Sequence, residues 1–138
     1  MSRLLSLTIL AAMALAAPAR AEMVNFKASI SGAQEVPAKT TDGKGDALAT
    51  LDTKTKMLSY TVTYTGLSGA ATAGHIHGPA AAGANAGVLV PFASAASPIS
   101  GTATLTDVQI ADLIAGKMYV NIHTAANPGG EIRGQLTK

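Results

Sequence analysis

The chain has 138 residues, a formal net charge of +2 and no cysteine. That length suits one compact domain, and the missing cysteines exclude both a disulfide framework and a thiolate metal site. There is no basic stripe, and aromatics make up only 4% of residues, so the side chains that grip and stack nucleic acid are lacking.

The first predicted element stands apart from the fold. Arg3 supplies a positive start, residues 4 to 17 are apolar, and Ala19-Arg20-Ala21 is a small-x-small cleavage triplet. Together they predict a signal peptide over 1–21, cut after Ala21. The apolar run is short for a membrane span and no second one follows, so no membrane anchor is expected after cleavage. The expected location is periplasmic or secreted. Arg3 and Arg20 leave with the leader, which brings Lys plus Arg from 10 to 8 against 8 Asp plus Glu, and the expected mature charge to zero.

Residues 22–138 are expected to form one β-domain. Val24, Phe26, Ala28 and Ile30 alternate with polar Asn25, Lys27 and Ser29, the period of a half-buried strand. A bend is expected at Gly32 to Pro37. A strand fits 45–52, and Leu58, Tyr60, Val62 and Tyr64 alternate with Ser and Thr in the clearest amphipathic strand of the chain. Further strands fit 71–77, 87–92 and 99–105. A short helix is predicted near 106–115: Thr106 caps it, Gln109 completes a capping box, and Gly116 ends it. Its stripe is Val108, Ile110, Leu113 and Ile114, suited to covering one end of the core. Strands at 117–123 and 131–137 close the chain. Turn clusters at Thr41-Asp42-Gly43, Asp52-Thr53-Lys54, Leu67-Ser68-Gly69 and Asn127-Pro128-Gly129-Gly130 separate the strands. The fold class is all-β: an antiparallel Greek-key sandwich or barrel of about eight short strands with one helix.

All three histidines fall in two of these strands. Gly74-His75-Ile76-His77-Gly78-Pro79 puts His75 and His77 on one face, about 7 Å apart along the strand. Tyr119-Val120-Asn121-Ile122-His123-Thr124 puts Asn121 and His123 on one face, and Glu131, Arg133 and Gln135 are expected to share a face further on. Three imidazoles can hold one metal ion and leave a coordination position open. Copper is expected ahead of zinc, because copper(II) tops the affinity order at an all-imidazole site. Asn121, Glu131, Arg133, Gln135 and Glu35 are then expected around the ligands, orienting imidazoles or forming a structural polar cluster. The Ala- and Gly-rich stretch 79–87 is either a flap over the histidines or a long hairpin connection. There is no cysteine nucleophile, no Gly-x-Ser-x-Gly elbow and no paired-acid signature among Asp42, Asp46 and Asp52.

Gly32-Ala33-Gln34-Glu35-Val36-Pro37, the His75 segment and the block from Tyr119 to Leu136 together resemble the CHRD domain, first recognised in chordin and found in many exported bacterial proteins. The resemblance spans almost all of the expected mature chain and implies an extracytoplasmic β-rich domain, with no particular reaction or protein partner. A second resemblance is to Cu,Zn superoxide dismutase, which places a His-x-His pair on a barrel strand, a further His near the chain end and an Arg beside copper. His75, His77, His123 and Arg133 are similar in type and order, but no histidines remain for a second ion. Three functions compete: a metal-binding domain, a structural or protein-binding β-module without metal, and a redox activity of the superoxide-dismutase type.

Overall fold

The computed structural model describes residues 17, 18 and 20–138; the expected leader lies almost wholly outside them. Alternation turns directly into strands. The run from Val24 becomes β1 (Met23–Ser31), which a short 3₁₀ turn, Gly32–Gln34, bends away. A three-stranded meander forms with β2 (Lys44–Asp52) and β3 (Met57–Thr65), paired without a break along both seams. Next come β4 (Ala71–His77), β5 (Val88–Pro91) and β6 (Ile99–Thr104). Helix α1 (Asp107–Ile114) leads to β7 (Tyr119–Thr124) and β8 (Ile132–Gln135).

All eight strands join one antiparallel sheet in the order β5-β4-β7-β8-β1-β2-β3-β6. The crossovers from β3 to β4 and from β6 to β7 give it the expected Greek-key character. The sheet curls into a nearly closed barrel. The connection between its two edges, β5 and β6, packs on β3: the Phe92 and Tyr60 rings lie 5.0 Å apart, and Tyr64 bonds to Ala95 and Ser97 of that connection. Pro91, which cannot donate to a ladder, sits at the end of an edge strand where none is needed.

Inward residues fill the barrel with large and small side chains in alternation. One row across the sheet reads Phe26, Ala49, Tyr60, Gly101. A methyl group on Gly101 would fall 2.3 Å from the Tyr60 hydroxyl, so the row has no room for another side chain. Packing that varies in size around a narrow barrel lets the rows interdigitate.

The helix forms as its caps dictate. Thr106 accepts from the Gln109 N–H, Gln109 reciprocates, and Gly116 leaves in the left-handed region at φ 74°. Its apolar stripe is narrower than expected. Leu113 is fully buried and Ile110 packs beside the core, but Val108 is 72% exposed and Ile114 44%. Eight residues make barely two turns, so only one edge of the helix meets the barrel end.

Candidate metal centre

Strand pairing brings the histidines together on the outer face of the barrel. Ile76, between His75 and His77, points into the core and is fully buried. The register aligns His75 with Asn121 and Arg133, and His77 with Tyr119 and Gln135. His123 lies one row further along, opposite Ala73, and reaches His75 diagonally.

An outer face would normally meet water, yet His77, Asn121 and Arg133 are all at least nine-tenths buried. Two connections cover them. The 78–87 stretch is strapped down by hydrogen bonds rather than left free. Its Ala86 carbonyl accepts from His77 Nδ1 at 3.0 Å and from the Tyr119 hydroxyl, and its Ala80 carbonyl accepts from Gln135. Asn85 ties it to the segment after the 3₁₀ turn by donating to the Val36 carbonyl, and accepts from Arg133. That segment lays Glu35 onto Asn121, whose amide donates to the carboxyl.

The hydrogen-bond partners assign the imidazole tautomers. A carbonyl only accepts, so His77 Nδ1 carries its proton toward Ala86 and His123 Nδ1 carries its proton toward Pro128 at 2.8 Å. In the neutral rings, the Nε2 atoms of both then present lone pairs. His75 Nδ1 donates to His123 Nε2 at 3.0 Å. His77 Nε2 is buried and has no hydrogen-bond partner among the described residues. One nitrogen from each ring lies within 4.8 Å of the others. Burial pushes His75 and His77 below the ordinary imidazole pKa, with neighbouring His123 pushing the same way and the Ala86 bond opposing it at His77, so the fold favours the neutral form of both rings. Three convergent imidazole nitrogens are a ligand set for one ion; His75 completes it by moving its proton from Nδ1 to Nε2.

The surrounding polar residues divide into two groups. Asn121, Glu35, Arg133 and Gln135 lie on the histidine side. Arg133 is 1% exposed; its guanidinium sits 3.5 Å over the Tyr119 ring and bonds to Asn85, Gln135 and the Ala81 carbonyl. It forms no ion pair with Glu35. Glu131 does not share the face of Arg133 and Gln135 as strand alternation suggested. Gly130, at φ 124°, turns the chain just before β8 begins at Ile132, so alternation does not yet apply. The Glu131 carboxylate instead accepts from Thr41, Thr124, and both the hydroxyl and N–H of Ser68.

A cavity of about 160 Å³ opens beside the histidines, bounded by His77, Tyr119, Asn121, Asn85 and Glu35. Larger grooves of about 470 and 580 Å³ lie over β1 and β2, and no histidine lines either. Burial pushes the Glu35 carboxyl up to about 7, against the anion-favouring pull of Arg133, the Asn121 bond and Lys39. The folded state therefore holds a proton that the unfolded chain releases, and stability falls as pH rises from about 4.5 to about 7. Glu35→Gln keeps an acceptor for Asn121 and removes the titration. Urea midpoints measured across that window are expected to slope downward less steeply in the variant than in the parent.

Tyr119 and Asn85 carry more of this site than the motifs suggested. Tyr119 stacks on His77 with 4.9 Å between centroids and 2° between planes. Its parity with Asn121 and His123 on β7 was the available signal. Asn85 had none, because its role depends on two connections meeting.

The molecule is an antiparallel β-barrel whose outer face gathers three imidazoles close enough together to hold a metal ion. The CHRD domain family model matches residues 26–136, and the chain belongs to that family. No curated protein and no solved structure matches the chain.

Proposed function

We propose that this protein is an exported metal-binding domain, periplasmic or secreted, that holds one copper ion on His75, His77 and His123 and serves in copper binding, buffering or delivery. One observation carries the proposal. His77 Nε2 is buried with no hydrogen-bond partner among the described residues, Ala86 takes the Nδ1 proton and so leaves the lone pair on Nε2, and one nitrogen from each of the three rings lies within 4.8 Å of the others. A buried polar atom left unsatisfied costs free energy, and a bound ion would remove that cost. Copper is preferred to zinc by the affinity order for imidazole sites. Export rests on the leader and its cleavage triplet.

Titrating the purified protein with Cu(II) and Zn(II) by calorimetry is expected to give a saturable one-to-one isotherm, tighter for copper. Replacing all three histidines by alanine is expected to abolish it. No saturable binding, or binding unchanged in the triple variant, would sink the proposal.

One observation favours a second reading, a structural or protein-binding β-module. The His75–His123 bond and the carbonyl bonds of His77 and His123 tie the cluster together without metal. Metal-free stability of single histidine variants separates the two readings.

A further inference from the structure

Arg133 sits two layers from a metal ligand. His77 reaches Tyr119 from β4 and Arg133 reaches it from β8, on either side of β7, so they cover opposite faces of the ring. The column runs guanidinium, phenol, imidazole, with the guanidinium carbon 3.5 Å from the phenol centroid and the phenol and imidazole centroids 4.9 Å apart. Burial and bonds to Asn85, Gln135 and Ala81 hold the guanidinium in place. It is a permanent positive charge that water screens little.

No anionic side chain is among the donors. The cluster consists of His75, His77 and His123. Glu131 is committed to Thr41, Ser68 and Thr124. Glu35 is bound to Asn121, and its charged neighbours are Arg133 and Lys39. A divalent ion on three neutral nitrogens would keep its full charge beside a buried cation. It would also want a fourth ligand, as zinc does, and the cluster of side-chain donors holds only three. A monovalent d¹⁰ ion carries half the charge and accepts three donors.

We propose that Arg133, acting through the Tyr119 ring, makes the three-histidine centre select monovalent copper over divalent ions. Arg133 is thus a specificity-determining and positioning residue rather than a ligand. The proposal rests on the metal-binding reading above and adds to it which charge state the centre prefers. At the separation of this column, one unit of charge on the ion changes its binding roughly tenfold through repulsion from Arg133.

The test compares affinities of the purified protein for Cu(I), kept reduced with ascorbate, for Cu(II) and for Zn(II), each against a chromophoric chelator. The parent is expected to hold Cu(I) more tightly than Zn(II). Arg133→Gln, which removes the charge and keeps donors for Asn85, is expected to tighten Cu(II) and Zn(II) roughly tenfold relative to Cu(I). Arg133→Lys, which keeps the charge, is expected to retain the parent's ratios. Equal changes for all three ions in Arg133→Gln would overturn the proposal and leave Arg133 a packing residue. A parent that prefers Zn(II) to Cu(I) would overturn it without any variant. A parent that binds none of the ions removes the metal-binding reading and this proposal together, whereas unchanged ratios remove this one alone.

Discussion

His77→Ala is expected to bind copper at least about 100-fold more weakly than the parent and to lose the thermal stabilisation that copper confers. Removing a group that merely orients a ligand costs 10- to 100-fold in metal affinity, so removing a ligand should cost no less. Copper at a free concentration 100-fold above the parent's dissociation constant stabilises the fold by about 2.7 kcal/mol. The variant, at the same concentration, should show almost none of that. In metal-free buffer the substitution should cost little. It removes one hydrogen bond to Ala86 and the stacking partner of Tyr119, worth about 1–2 kcal/mol, but it also removes a buried nitrogen with no partner. Differential scanning calorimetry of parent and variant, with and without copper, reads both effects. A large loss in metal-free buffer with no further loss on adding copper would favour the structural module.

Glu131→Ala is expected to cost about 3 kcal/mol, and that cost should itself depend on pH. Glu131 is fully buried and joins four donors from three parts of the chain: Thr41 after the 3₁₀ turn, Ser68 in the β3–β4 connection, and Thr124 at the end of β7. Glu131→Ala takes the acceptor from all four donors, of which only the Ser68 and Thr124 hydroxyls can turn to each other. Glu131→Gln keeps the shape, and the hydroxyls can turn to accept from the new amide, so about 1 kcal/mol is expected instead. Burial alone would raise the carboxyl, but the bonds from Ser68, Thr124 and Thr41 bring it down to about 2. A depressed folded pKa means the unfolded chain binds the proton first. The stabilisation is complete above about 4.5, the ordinary value, and is lost as pH falls toward about 2. Urea unfolding of parent and Glu131→Gln should therefore converge as pH drops through that window. Curves that stay parallel would mean the carboxylate is not what holds these three connections.

Much of the architecture was legible because strands announce themselves locally. Leu58 to Tyr64 alternates without exception, and Thr106, Gln109 and Gly116 mark both helix ends with residues whose local bonding needs no tertiary partner. The helix stripe is narrower than its spacing implies, because Val108 and Ile114 have the right spacing but stay exposed. Glu131 was placed on the wrong face because alternation holds only inside a strand, and the turn at Gly130 had not yet ended.

By itself the sequence determined an all-β domain and put His75 and His77 on one face, since a period of two follows from backbone geometry alone. It marked His123 as a third candidate of the same residue type. Only the tertiary structure decided that the three rings meet, because a diagonal contact between β4 and β7 depends on a register set by partners more than forty residues apart. It also decided which nitrogen His77 and His123 offer, through the carbonyls of Ala86 and Pro128, and that Arg133 and His77 both stack on Tyr119. Carbonyl positions and stacking faces are properties of packed chains, and no residue type encodes them.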